Sequence, residues 1–151
     1  MKTFVRIVVP ADIPEIKHIA DESGLSHWTR QGYFDEIDRP DSIFLTVATG
    51  DDGIVGFILG RIVPGPDAEI YNIAVEKNTR RRGFGHVLLS EFISRCKTKH
   101  IVNIWLEVRQ SNANAISFYT NAGFEEISVR PRFYADPIED AVVMRLAIRR
   151  T

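Results

Sequence analysis

The chain has 151 residues, 44% hydrophobic, 26% charged and 10% aromatic, with a formal net charge of -1. That length suits one domain with a sizeable core, and the balanced charge excludes a disordered chain. The single cysteine, Cys96, excludes a disulfide framework, and the net charge gives no sign of a nucleic-acid binder.

Phe4–Val9, rich in β-branched residues, reads as a strand. Asp12, followed by Pro14 and Glu15, reads as a helix N-cap with a capping box, and Ile13, Ile16, Ile19 and Ala20 follow at helical spacing. A second short helix is expected over 29–39, ended by Pro40. Ile43–Thr49 and Ile54–Val63 form a hairpin across Gly50-Asp51-Asp52-Gly53. Glu69–Val75 is a further strand. Phe84, Val87, Leu88, Phe92 and Cys96 then place an amphipathic helix over 83–99. Ile101–Val108 reads as a strand, and Asn112 to Asn121 as a helix closed by Gly123. Residues 124–130 and 140–148 complete an antiparallel pair. The order β-α-α-β-β-β-α-β-α-β-β predicts an α/β fold with a mixed sheet. No repeat, low-complexity tract or linker interrupts it, so residues 1–151 read as a single domain.

Residues 1–10 hold an apolar run broken by Arg6 and stopped by Pro10, unlike a secretory h-region, and Ile54–Gly60 is too short to span a bilayer. A soluble cytoplasmic protein is expected, without membrane or direct nucleic-acid contact. His18, His27, His86 and His100 lack metal-ligand spacing, so no metal is expected. Cys96, on an apolar helix face, reads as packing.

The near-neutrality is a cancellation. Residues 1–75 carry 6 Lys/Arg against 12 Asp/Glu, and residues 76–151 carry 13 against 8. The strongest local signal lies in the basic half. Asn72-Ile73-Ala74-Val75, a buried-looking strand, runs into Arg80-Arg81-Arg82-Gly83-Phe84-Gly85-His86, which opens the long helix. A helix start has unpaired N–H groups and partial positive charge, and glycines let phosphate oxygens approach the backbone. A Walker A loop is excluded because His86 follows Gly85. A dinucleotide fingerprint wants a third Gly or Ala where Leu88 stands, although Glu107 lies at the right distance for its acidic residue. A solvated arginine cluster is the plain alternative.

Arg80-x-x-Gly83-x-Gly85 after Ile73-Ala74-Val75 resembles the acetyl-CoA motif of GNAT-type N-acetyltransferases. The run Trp105-Leu106-Glu107-Val108-Arg109, then Ser111-Asn112-x-x-Ala115-Ile116-x-x-Tyr119-x-x-x-Gly123-Phe124, is similar to the ribosomal-protein-alanine branch. So is Tyr134-x-x-x-x-Glu139-Asp140-Ala141-x-x-Met144. The likeness is dense over 69–148 and loose over 1–66, where only Trp28-Thr29 shares it and His27 replaces the usual proline.

The resemblance implies a GNAT-type, mostly antiparallel sheet flanked by helices, and direct acetyl transfer from acetyl-CoA to an amine. The implied acceptor is a protein N-terminal α-amine, such as that of a ribosomal protein. A small-molecule amine acetyltransferase and a non-catalytic acyl-CoA-binding module are the alternatives. It implies pantetheine contacts from the backbone of Ile73, Ala74 and Val75, with Val75 N–H polarising the thioester carbonyl. Arg81, Arg82, Gly83, Phe84, Gly85 and His86 would hold the pyrophosphate. Asn112 is an N-cap by position and a coenzyme contact by resemblance. Tyr119, two turns further along that helix, would be the general acid. Glu107 is favoured as general base and Glu69 competes. Strand parity puts Glu69 in phase with Tyr71 and Ile73, and Glu107 with Trp105, so both acids line one pocket if their strands are neighbours. Trp28, Tyr71, Phe133 and Tyr134 are candidates for the acceptor groove, covered by a hairpin around Arg132–Asp140. The acidic first half is expected to frame the cationic amine. A monomer or homodimer is expected.

Overall fold

The computed structural model describes residues 2–25, 27–50 and 53–148. Asp51 and Asp52, at the centre of the expected hairpin turn, lie outside the described residues. Seven strands form one sheet: β1 (Thr3–Ile7), β2 (Ser42–Thr49), β3 (Gly53–Val63), β4 (Asp67–Val75), β5 (Asn103–Arg109), β6 (Glu125–Ala135) and β7 (Ile138–Ala147). Their order across the sheet is β1-β2-β3-β4-β5-β7-β6, antiparallel except for the β4–β5 pair. Helices α1 (Ile13–Glu22) and α2 (Arg30–Ile37) cover one face, and α3 (Phe84–Thr98) and α4 (Ala113–Asn121) the other. Among the described residues no helix is long and apolar enough to cross a membrane.

Each face of the sheet carries its own apolar layer. Ile13, Ile16, Ile19 and Ala20 form the buried stripe of α1 and meet Tyr33, Phe44 and Phe57. Leu88, Leu89, Phe92 and Cys96 do the same for α3, against Leu45, Ile58, Ile70 and Ile104. Each buried Ile, Leu or Phe among them contributes about 1.5–3 kcal/mol of burial.

The start of α1 differs from the sequence expectation. Pro10–Asp12 is a 3₁₀ turn, and the Asp12 carboxylate reaches back to accept from Val9 N–H (2.9 Å) and to pair with Arg6 (2.7 Å). Asp12 makes no cap bond into α1, so Glu15 has no capping box to complete. Pro10 favours the tight turn, and Arg6 on the neighbouring strand holds the carboxylate there.

The decisive irregularity lies in β4. Leu59 faces Asn72 but Gly60 faces Ile70, so Tyr71 is an extra residue, a bulge. The bulge exchanges the two faces of the strand. Ala68 and Ile70 point into the α3–α4 layer, whereas Ala74 points into the α1–α2 layer. Gly60 sits opposite the bulge because α3 crosses it there. A Cβ on Gly60 would lie 2.5 Å from the Phe92 ring and inside contact distance of the Glu69 carbonyl.

A bulge bends its strand, and β4 bends away from β5. The two pair only through Asp67↔Asn103, Ala68↔Ile104 and Glu69↔Trp105. Beyond Glu69 and Trp105 they part, leaving a wedge-shaped gap in the middle of the sheet.

Candidate active site

The loop from β4 to α3 ends at the wide end of this gap. Gly83 is the N-cap of α3 in the left-handed region (φ 85°), with no side-chain cap. Arg81 before it also has positive φ (67°). The N–H groups of Phe84, Gly85 and His86 therefore open the helix without intrahelical acceptors. The loop is pinned from behind: Arg80 Nε donates to the Val75 carbonyl (3.1 Å) and its Nη2 to Ser23 Oγ (3.1 Å). A Cβ on Gly85 would press on Phe118 at 3.3 Å, so glycine there lets α4 approach α3. The Phe84 side chain is buried in the core, so its N–H, not its ring, faces the loop.

The edge of β4 along the gap follows from its register. Glu76 N–H donates to Val55 O (2.7 Å). Alternation then directs the backbone groups of Ala74 and Asn72 at β3, and those of Val75 and Ile73 into the gap. Of the three residues expected to offer backbone contacts, Ile73 and Val75 turn their backbone groups toward the gap, the Val75 carbonyl accepting from Arg80 Nε. Ala74 spends its own N–H and C=O on the β3 ladder. Together the β4 edge that turns away from β3, the bare helix start and the two glycines fit an extended acyl-pantetheine arm carrying a pyrophosphate.

Asn112 is the N-cap of α4, its Oδ1 accepting from Ala115 N–H (3.1 Å). Tyr119, on the same helix, is buried between Phe118 (5.3 Å) and Phe124 (5.4 Å). Burial pushes its phenol well above the usual tyrosine value, and the Tyr134 hydroxyl adds to the rise.

Glu69 and Glu107 share the sheet face opposite α3 and α4. Glu69 is the register partner of Trp105, and Glu107 is two residues further along β5. The two acids differ in their partners. Glu69 stands close to Tyr71, whose pKa is raised by burial and by the Glu69 charge. Glu107 has a buried Oε2 with no hydrogen-bond partner, and its nearest cation, Arg130 Nη1, stands 3.9 Å away. Trp105 Nε1 is also buried without a partner. An unsatisfied buried polar atom costs about 1–3 kcal/mol, so two on one strand face mark a site built for something else.

The bulge corrects the parity argument. Glu69 and Tyr71 share a face, but Ile73 is turned to the other and packs toward α3. Spacing along the sequence cannot register the extra residue.

Arg109 was not among the expected site residues, yet it organises the final hairpin. Its guanidinium donates to the carbonyls of Pro137 (3.0 Å) and Asp136 (3.2 Å), pairs with Glu139 (3.2 Å) and lies 4.3 Å from the Tyr134 ring centre. Glu139 also accepts from Ser111 N–H (2.6 Å), just before α4. This hairpin holds Tyr134 half-buried beside Glu107, which raises the Tyr134 pKa after burial, while Arg109 opposes it. Phe133 is exposed on the rim.

Trp28 stacks on Tyr33 (5.2 Å) and leans on Tyr71 (6.4 Å). Asn72 ties this group together. With its amide turned to satisfy both neighbours, it accepts from Trp28 Nε1 (3.1 Å) and donates to the carbonyl of the bulge residue Tyr71 (2.8 Å). Trp28 is thus anchored through its indole nitrogen, and Tyr71, 36% exposed, carries the open surface. The only sequence signal for Asn72 was a polar residue in an apolar strand.

The charge asymmetry also needs correction. The acids Asp12, Asp21, Glu36 and Asp41 of the first half are paired with Arg6, Lys17, Arg61 and Arg39. The face around Glu107 is instead lined by Arg109, Arg130 and Arg145 from the basic half.

A family model for the acetyltransferase (GNAT) family matches residues 13–124. The [ribosomal protein bS18]-alanine N-acetyltransferase of Salmonella typhimurium is 33% identical over 146 residues, spanning 95% of this chain and 97% of its own. Among solved structures, the ribosomal-protein-S18-alanine N-acetyltransferase from Escherichia coli superposes with a TM-score of 0.87 at 27% identity, covering 99% of this chain and 96% of that one. Ard1 from Thermoplasma volcanium does so with a TM-score of 0.89 at 30% identity, covering 99% and 100%.

Proposed function

The chain belongs to the acetyltransferase (GNAT) family and is an acetyl-CoA-dependent N-acetyltransferase, and from that premise we propose that its acceptor is a protein N-terminal α-amine, such as that of a ribosomal protein. The observation that carries this reading is the buried carboxylate oxygen of Glu107 that no hydrogen bond satisfies, beside the gap between β4 and β5. The named activity of the Salmonella relative, matched along nearly the whole chain, supports it.

Acetyl-CoA supplies the acetyl group as a thioester. In this reading the N–H groups of Phe84, Gly85 and His86, with Gly83 in its left-handed turn, hold the pyrophosphate, and Arg81 and Arg82 add positive charge. The outward backbone groups of Ile73 and Val75 align the arm, and Asn112 adds a contact at the start of α4. Val75 N–H stabilises developing negative charge on the thioester oxygen. Glu107 takes the first proton from the incoming ammonium, directly or through one water; as the C–N bond forms and the C–S bond breaks, Tyr119 gives its proton to the departing sulfur and is reprotonated, through solvent, by the second proton the nitrogen sheds. Glu69, close to Tyr71, serves as a second acid on the same face. Tyr71, Tyr134 and the exposed edge of Trp28 border the acceptor.

An α-amine titrates near 7.7–8.0 and a lysine near 10.4, a difference of about 3.5 kcal/mol in deprotonation. One modest base suffices for the former. The buried, unpaired thiol of Cys96, pushed up to about 12 by burial, supports direct transfer without an acyl-cysteine. We also place the enzyme in the cytoplasm, as a single domain acting as a monomer or homodimer, away from membranes and nucleic acid; the free cysteine supports a reducing compartment.

Incubation with acetyl-CoA and a panel of N-terminal peptides, polyamines and free amino acids tests this, read as thiol release. Release with peptides is expected. Release only with small amines overturns the acceptor assignment. Glu107→Gln should lower peptide kcat/KM about 10²-fold, and Glu69→Gln much less; the reverse order would make Glu69 the base.

A further inference from the structure

The two orphaned atoms on β5 are of opposite kind. Trp105 Nε1 is a donor and Glu107 Oε2 an acceptor, and both are buried without a hydrogen bond, Oε2 having only Arg130 Nη1 at ion-pair distance (3.9 Å). The residues alternate onto the same sheet face, about 6.6 Å apart along the strand. Trp105 sits where β4 and β5 begin to part, so the pair runs from the narrow end of the gap into its opening. The group over the indole is the Arg145 guanidinium, 5.5 Å from the ring, at the end of a long, half-buried side chain. Such a side chain can swing aside for an incoming ligand.

A ligand that satisfies both atoms must present a donor and, a few ångströms away, an acceptor. An alkylamine or polyamine presents donors only. A peptide N-terminus presents its amine and then main-chain carbonyls. We propose that Trp105 Nε1 donates a hydrogen bond to a main-chain carbonyl within the first two residues of the acceptor, while Glu107 receives the amine. Trp105 then selects peptides over simple amines. This rests on the N-terminal acceptor assignment and adds the group that reads the backbone. The selectivity arises because an amine without a carbonyl leaves the buried indole N–H unpaired.

The test is a cycle between enzyme and acceptor. Trp105→Phe keeps an aromatic ring on the strand and removes the donor. The acceptors are a short peptide and two isosteres, in which the first or the second amide is replaced by a trans-alkene. On the parent peptide the substitution should lower kcat/KM about 10-fold. On one of the two isosteres it should have no further effect, because the carbonyl is already gone. Titration of the parent peptide into the coenzyme A complex should show the same 10-fold loss of affinity by calorimetry. Equal losses on all three acceptors would overturn the proposal and reduce Trp105 to packing. If wild-type enzyme acetylates no peptide, the acceptor assignment fails instead. Unfolding of Trp105→Phe by heat, compared with wild type, separates a folding loss from a binding loss.

Discussion

Replacing Tyr119 by Phe removes one oxygen from a packed site. The ring keeps its edge contacts with Phe118 (5.3 Å) and Phe124 (5.4 Å), so stability should stay within about 1 kcal/mol of wild type. The hydroxyl is the proton source in the proposed reaction, and general-acid catalysis is worth about 10²–10⁴-fold, or roughly 2.7–5.4 kcal/mol of barrier. Single-turnover acetyl transfer at saturating acetyl-CoA, quenched and counted by mass, measures it directly. Coenzyme A affinity, read by calorimetry, should barely change. The pH profile adds a second check. Burial holds the phenol above its ordinary value near 10, so Tyr119 stays protonated throughout pH 6–9. Any loss of wild-type rate through its ionisation must therefore appear only above pH 10. A variant turning over within threefold of wild type would refute the assignment.

Gly60→Ala drives a methyl group into the Phe92 ring and the β4 backbone. Overpacking of this kind costs about 1–3 kcal/mol, so the melting temperature should fall by roughly 2–12 °C, while Gly50→Ala, with nothing within 4 Å, should barely move it. Arg109→Lys keeps the charge but loses the fork that grips Asp136, Pro137 and Glu139. Steady-state kinetics should show KM for the acceptor rising severalfold with KM for acetyl-CoA nearly constant. Asp12 is desolvated, yet its bonds from Arg6 and Val9 hold its carboxyl below the ordinary value. A lowered folded pKa stabilises the fold above the unfolded pKa, and that contribution disappears as pH falls through the folded one. Urea unfolding should therefore show Asp12→Asn weaker than wild type at pH 7, with the gap closing as pH falls below about 4.

The element order was legible because it depends on local pattern. The α1 and α3 stripes, the Asn112 cap and the Gly-rich start of α3 are each written within a few residues. What escaped was set by residues distant in sequence. The Tyr71 bulge arises where Gly60 and Phe92 meet β4. It turns Ile73 away from Glu69, and no count along Glu69–Ile73 reveals that. Arg109 stood inside a quoted motif, but its partners lie 27 to 30 residues away on the final hairpin. The contrast between Glu69 beside Tyr71 and Glu107, whose buried Oε2 has no hydrogen bond and a distant Arg130, is likewise a property of neighbours. The motif placed the acids together, and the packing distinguishes them.

The three residue pairs joining β4 to β5 are also a seam. Strands β1–β4 and β5–β7 meet there through a single short ladder, with α3 packed beneath. A ligand bonded to the outward edge of β4 takes the place of missing rungs, so it is part of the fold's cohesion as well as its chemistry. By thermodynamic linkage, saturation at a hundred times Kd adds about 2.7 kcal/mol of stability. With the coenzyme along β4 as proposed, coenzyme A, which shares the donor's pantetheine and pyrophosphate, would keep this reinforcement through each turnover. The empty protein would then be the less stable species, melting below its coenzyme A complex.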